Sequence, residues 1–131
     1  MRLLLDTHFP LWLATDSSKL SAAERSMLDD RSNELVVSAV SIWELRLKWN
    51  SVYVSGDRKG LADPAAVSTV MAEFGCVSLA LTAAHAAVIL ATPIAHRDPF
   101  DELLLAQAQV EGLRLLTRDR VLLAHPLAIG V

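Results

Sequence analysis

Short apolar segments alternate with helix-like segments along the whole chain, and this alternation limits the folds that the chain can adopt. Four of the apolar segments are predicted β-strands, and a fifth is a possible edge strand: Arg2–Leu5, Glu34–Ser38, Val77–Leu81, Leu113–Thr117 and Leu127–Ile129. Alternation of strands with helices is typical of an α/β fold in which mainly parallel strands form one sheet. We therefore predict a mainly parallel sheet of four or five strands, flanked by helices.

The predicted helices begin at residues that favour helix starts. Ser21 and Glu24 have capping-box spacing, and Asp63 and Asp98 each precede a proline at the first helical position. The predicted helices are Phe9–Ala14, Ser21 to about Asp30, Ser41–Asn50, Pro64 to about Phe74, Thr82 to before Pro93, Pro99–Glu111 and Asp119–Ala124. No linker or repeat interrupts the 131 residues, so we expect a single domain over residues 1–131.

The composition excludes several classes of protein. Hydrophobic residues make up 53% of the chain and charged residues 21%, which argues against disorder. The apolar runs are too short to span a bilayer, and the first residues do not resemble a signal peptide, so we expect a cytoplasmic protein without a membrane partner. Cys76 is the single cysteine, which excludes an intrachain disulfide and a cysteine metal cluster.

The net charge of −3 does not by itself favour nucleic-acid binding, because such proteins are usually basic. The net charge does not argue against nucleic-acid binding if the acids are concentrated in one pocket, where bound cations reverse the sign of the local charge.

Two acids lie just beyond the ends of predicted strands. Asp6 comes after Leu3-Leu4-Leu5, and Asp119 comes two residues after Leu115-Leu116-Thr117. Ligands of open α/β sheets bind beyond the carboxyl ends of the strands, so neighbouring strands would direct both carboxylates into one crevice. The alternative is that each aspartate only caps the helix that follows it.

Three further acids lie at predicted helix starts. Glu44 is surrounded by apolar neighbours, although Ser41 and Glu44 also have capping-box spacing. Asp98 is the natural N-cap of its helix, and Asp101 could simply favour the helix dipole.

Asp6, Glu44, Asp101 and Asp119 could not all stay ionised in one crevice without a cation. Oxygen ligands suit Mg²⁺, with Mn²⁺ as a substitute. A site of this kind performs phosphodiester chemistry, in which the metal activates a water for in-line attack.

Four segments resemble the PIN-domain ribonucleases, and most of all the toxins of the VapC type. They are Leu3-Leu4-Leu5-Asp6-Thr7-His8, Val37-Ser38-Ala39-Val40-Ser41-Ile42-Trp43-Glu44-Leu45, His96-Arg97-Asp98-Pro99-Phe100-Asp101 and Leu116-Thr117-Arg118-Asp119. The resemblance runs in order from Arg2 to about Leu123. Each segment alone is weak evidence, but four segments in the correct order and spacing are specific.

The resemblance implies a PIN-like three-layer fold and a magnesium-dependent endoribonuclease that hydrolyses RNA by a metal-activated water. The implied metal ligands are Asp6, Glu44, Asp101 and Asp119, of which Asp6 and Asp101 are the principal ones. The resemblance also implies a cognate VapB-type antitoxin and a homodimer, with transfer RNA as a plausible substrate.

Residues beside the acids complete the expected site. The resemblance makes Asp98 an accessory acid, and it makes Thr7 and Thr117 neighbours that orient the ligands. Three basic side chains are candidates for RNA contact, with an ordinary loop or surface role as the alternative: His96, Arg97 and Arg118.

Two other functions are compatible with parts of the pattern. A phosphatase of the haloacid-dehalogenase type also opens with an apolar strand and an aspartate, but it needs an acid or threonine two residues later, where this chain has His8. A binding module that kept the fold and lost activity is the non-enzymatic alternative, and the four intact acids argue against it. Trp12 and Trp49 are the candidates for a dimer or antitoxin surface.

Overall fold

A computed structural model describes all 131 residues, and its elements follow the alternation seen in the sequence. The strands are β1 (Arg2–Leu5), β2 (Glu34–Ser38), β3 (Val77–Leu79), β4 (Arg114–Leu116) and β5 (Ala128–Ile129). The helices are α1 (His8–Thr15), α2 (Ala22–Asp29), α3 (Ala39–Trp49), α4 (Pro64–Glu73), α5 (Ala83–Ala87), α6 (Pro99–Glu111) and α7 (Arg120–Leu123), with a 3₁₀ turn at Ser17–Lys19. None of these helices is both long enough and apolar enough to cross a membrane.

The five strands form one parallel sheet in the order β3-β2-β1-β4-β5. β1 is the central strand, and its Leu4 lies between Val36 of β2 and Leu115 of β4. The chain adds β2 and β3 on one side of β1, and then β4 and β5 on the other side. The strand order therefore reverses at β1, which places a crevice at the carboxyl ends of β1 and β4. The predicted mainly parallel α/β fold is confirmed.

Helices cover both faces of the sheet because successive strand side chains point to opposite sides. Leu3 and Leu5 of β1 pack in one core with Phe9 of α1 and Val67 of α4. Leu4 points to the other face and packs with helix α6. Complete burial of a leucine side chain contributes about 1.5–3 kcal/mol to stability, so β1 anchors both cores and holds the crevice in place.

Helix α5 is shorter than the sequence suggested. We expected it to continue to just before Pro93, but it ends at Ala87. The side chain of Gln109 accepts a hydrogen bond from the Ala91 N–H (2.9 Å) and donates one to the Ile89 carbonyl (3.0 Å). These bonds satisfy backbone groups that a helix would otherwise pair, so the segment after Ala87 can be irregular.

Two further boundaries differ by two residues from the expectation, and the others differ by at most about one residue. β3 ends at Leu79 instead of Leu81. Helix α3 begins at Ala39 instead of Ser41, because the Ser38 hydroxyl accepts a hydrogen bond from the Val40 N–H (2.9 Å) and caps the helix.

Candidate metal centre

Asp6 and Asp119 lie at the carboxyl ends of adjacent strands, at the crevice of the sheet. The Asp6 N–H donates to the Leu116 carbonyl (3.0 Å), which extends the pairing of β1 with β4 by one step. Thr117 joins the two acids: its hydroxyl donates to the Asp6 carboxylate (2.6 Å) and accepts from the Asp119 N–H (3.1 Å). Asp119 also caps α7 by accepting from the Val121 N–H (2.8 Å). Asp119 therefore caps α7 and also lies at the crevice, so the two interpretations of this residue are compatible.

Glu44 reaches the same region from helix α3. The Thr7 hydroxyl lies 2.8 Å from the Glu44 carboxylate and 3.0 Å from the Ser41 hydroxyl. A threonine hydroxyl has one hydrogen, so Thr7 donates to the carboxylate and accepts from Ser41. Lys48, one turn further along α3, holds the other Glu44 oxygen at 3.2 Å. The capping-box interpretation of Ser41 and Glu44 is wrong, because Ser38 caps this helix.

The start of α6 contributes two acids with different environments. One carboxylate oxygen of Asp98 accepts from the N–H groups of Phe100 (2.9 Å) and Asp101 (3.3 Å), as expected of an N-cap. The Asp101 side chain is only 14% exposed and lies near His96 and Asp119. Ligand atoms of His96, Asp101 and Asp119 all lie within 4.8 Å of one another.

His96 faces the acids through a nitrogen that carries a hydrogen. Its Nδ1 accepts a hydrogen bond from the Asp98 N–H (3.2 Å), so the neutral ring has its hydrogen on Nε2. Nε2 is buried 3.4 Å from the Asp101 carboxylate and has no hydrogen-bond partner. A protonated Nε2 cannot ligate a metal. His96 is therefore arranged to donate to an oxygen in the site, such as that of Asp101 or of a bound phosphate.

The electrostatics show that the acids share one site. The pKa of Asp101 is raised to about 7, first by burial and then by the negative charges of Asp98, Asp6, Glu44 and Asp119. Burial also raises the pKa of Asp6, with a further contribution from Glu44, and the hydrogen bond from Thr117 opposes this rise. A cation would relieve this crowding of carboxylates, and oxygen ligands are those that Mg²⁺ and Mn²⁺ prefer. The residues present therefore fit a divalent cation.

Arg97 and Arg118, two of the candidates for RNA contact, lie in different environments. Arg97 is exposed in the loop before α6. Arg118 is already engaged: its guanidinium donates to both oxygens of the Glu24 carboxylate and to the Lys19 carbonyl (2.9 Å), and it lies 4.3 Å from the centre of the Trp12 ring. The pairing holds the pKa of Glu24 below its usual value. Arg118 is therefore held by local contacts, with its side chain 45% exposed, and its contact with RNA stays a prediction.

Sequence reasoning missed two residues of the site. Ser41 and Lys48 had not been assigned to the site, although Lys48 lies four residues after Glu44, the spacing at which helical ion pairs form. Trp12 and Trp49 are half-buried beneath arginine side chains, whereas Trp43 is 54% exposed. The role of Trp12 and Trp49 in a dimer or antitoxin surface stays a prediction.

The fold and the site together define an α/β protein with a carboxylate centre suited to a divalent cation, at the crevice where the strand order reverses. A sequence model of the PIN domain family matches residues 3–126. The chain is 32% identical over 123 residues to Ribonuclease VapC22 of Mycobacterium tuberculosis, and the match covers 93% of this chain and 90% of that protein. The chain belongs to the PIN-domain family, and the resemblance predicted from its sequence is confirmed.

A solved structure agrees with this assignment at the level of the fold. The crystal structure of VapBC2 from Rickettsia felis bound to a DNA fragment from their promoter has a TM-score of 0.63 to this chain. The match covers 100% of this chain and 98% of that one, at 16% sequence identity. At this identity the likeness shows the shared fold.

Proposed function

We propose that this chain is a magnesium-dependent endoribonuclease and the toxin of a toxin–antitoxin pair, with residues 1–131 acting as a single nuclease domain. The observation that carries the proposal is the gathering of Asp6, Glu44 and Asp119 around the buried Asp101. Burial first, and then the negative charges of its acidic neighbours, raise the pKa of Asp101 to about 7. The name of the related Ribonuclease VapC22 supports RNA as the substrate.

The four carboxylates have distinct roles in this proposal. Asp6 and Asp101 are the principal metal ligands, and Glu44 and Asp119 complete the acidic cluster. Thr117 orients Asp6 and Thr7 orients Glu44 through the hydrogen bonds described above. When bound, Mg²⁺ (or Mn²⁺ in its place) supplies an activated water and neutralises charge on the phosphodiester. The buried Nε2–H of His96 is free to donate to a phosphate oxygen.

Cleavage of RNA by antitoxin-free protein should require a divalent cation. We expect cleavage of total RNA in magnesium or manganese, a fall to background in EDTA, and recovery when magnesium is added in excess. The same preparation carrying Asp6→Asn controls for contaminating ribonucleases, many of which need no metal. Full activity in EDTA would contradict the carboxylate mechanism.

Thr7→Val should lower the cleavage rate and the magnesium affinity by about 10- to 100-fold, the usual cost of removing a group that orients a metal ligand. Valine keeps the shape of threonine but cannot donate to Glu44. The matched control is Thr7→Ser, which keeps the hydroxyl and should retain most of the activity. Thermal unfolding of each variant separates loss of orientation from loss of fold. Equal rates for the valine and serine variants would show that Lys48 alone holds Glu44.

We also propose a VapB-type antitoxin as the partner, a homodimer as the assembly and the cytoplasm as the location. The related crystal structure contains a VapBC2 pair. Helix α3 presents apolar side chains to solvent beside the carboxylates, with Trp43 54% and Leu47 45% exposed. Exposed apolar groups of this size favour a protein interface. Mixing purified antitoxin with the toxin should block cleavage.

A further inference from the structure

A pocket of about 270 Å³ opens directly beside the carboxylate centre. Its lining residues come from the end of β1, from α1 and from the loop between β4 and α7: Asp6, His8, Phe9, Trp12, Arg118 and Asp119. Two of them, Asp6 and Asp119, belong to the acidic cluster. Any group that occupies the pocket is therefore adjacent to a phosphate held at the metal centre.

Aromatic side chains of α1 form one wall of this pocket. The His8 and Trp12 rings are stacked, with their centres 5.3 Å apart and their planes inclined by 28°. Phe9 meets Trp12 edge-on, with the ring centres 5.8 Å apart. His8 is exposed to solvent, so its outer surface is accessible. Histidine and tryptophan rings are surfaces on which unstacked RNA bases bind.

The charges in the pocket favour a neutral occupant. The one arginine in the lining is Arg118, and its guanidinium is paired with Glu24 while it covers Trp12. Its Nε and one of its terminal nitrogens are therefore already bonded within the protein. The remaining charged groups, Asp6 and Asp119, repel an anion in the absence of a cation. A flat, uncharged group that stacks on aromatic rings fits this environment better than a phosphate does.

We propose that this pocket binds the nucleobase of a nucleotide next to the scissile phosphate. The inference rests on the proposed function, since it places an RNA strand at the carboxylate centre. The base stacks on the exposed surface of His8, and Trp12 supports the His8 ring from behind. Arg118 is a positioning residue that keeps Trp12 in place through its contacts with Glu24 and Lys19. Stacking contacts accept any base, so the pocket orients the strand more than it reads its sequence.

The test measures binding of mononucleotides in magnesium, because uridine and adenosine 5′-monophosphates contain no phosphodiester to cleave. Ribose 5-phosphate is the control that lacks the base. The chain has three tryptophans, whose indole N–H signals in NMR spectra can be assigned with Trp→Phe variants. We expect both nucleotides to shift the Trp12 signal and leave the Trp43 signal in place. Their affinity should exceed that of ribose 5-phosphate by about 5- to 150-fold, the range given by one stacked base.

His8→Ala should remove much of the difference in affinity between the nucleotides and ribose 5-phosphate. It should not unfold the protein, since His8 is exposed. Thr15→Ala, an exposed residue of the same helix outside the pocket, is the matched control and should bind nucleotides as the unmodified protein does. In RNA cleavage, His8→Ala should raise KM more than it lowers kcat.

The outcomes separate this inference from the proposed function. Equal affinity for nucleotides and ribose 5-phosphate, or a response of Trp43 in place of Trp12, would overturn the base pocket even if RNA is cleaved in magnesium. Base-dependent binding at Trp12 without RNA cleavage would support the pocket and contradict the nuclease proposal.

Discussion

Replacing Asp6 by asparagine should reduce RNA cleavage by about a thousandfold or more. Metal chemistry supplies several kcal/mol of transition-state stabilisation, and each 1.36 kcal/mol corresponds to a factor of ten in rate. Asparagine keeps the size of aspartate and one oxygen that can accept from Thr117, but it removes the charge that binds the cation. The measurement is the initial cleavage rate at saturating magnesium.

The same variant should leave the fold intact and make the metal-free protein slightly more stable. Burial and the nearby Glu44 raise the pKa of Asp6, so its charged form is less favourable in the folded protein than in the unfolded chain. Asp63→Asn is the matched control, because Asp63 is an exposed cap of α4, remote in the sequence from the cluster, and asparagine caps helices equally well. A fully active Asp6→Asn variant, or one that is inactive because it unfolds, would make Asp6 a structural cap only.

Local features of the sequence were enough to predict the sheet and most helix starts. The apolar strands and the Asp-Pro pairs at residues 63–64 and 98–99 depend on neighbouring residues, and the structure has β-strands and helices at those places. The acids Asp6 and Asp119 could be placed at one crevice for the same reason, because each follows a strand and parallel strands end at the same edge.

The remaining features depend on partners far apart in the sequence. Gln109 bonds to residues 89 and 91 just beyond the end of α5, and nothing in the alanine-rich segment indicates these contacts. Arg118 is 94 residues from Glu24, so its sequence position beside Asp119 suggested a phosphate contact where the fold forms an ion pair. The hydrogen bonds of Thr7 to Ser41 and Glu44 likewise appear only when β1 and α3 are brought together.

The stability of the metal-free protein should fall as pH rises from about 4 to about 7, relative to an Asp101→Asn variant. The pKa of Asp101 is about 7 in the folded protein against an ordinary value of 3.8. Between these values the unfolded chain releases the proton and the folded chain retains it, so the folded state loses stability as pH rises, and the loss is complete above about pH 7. Asparagine resembles the protonated acid, and the difference in unfolding free energy between the two proteins should therefore grow across this window and then level off.

In magnesium, this dependence of stability on pH should reverse, because metal binding must displace the proton from Asp101. Below about pH 7 the magnesium affinity should rise about tenfold for each pH unit, as expected when one proton is exchanged, and it should level off above that value. Calorimetric titration with magnesium at several pH values measures both the affinity and the protons released, with Asp63→Asn as the control variant. Release of about one proton at pH 6 and of only about a tenth of a proton at pH 8 is the expected result. An affinity that does not change between pH 5 and pH 8 would mean that Asp101 is ionised throughout and that the carboxylates are less crowded than the structure indicates.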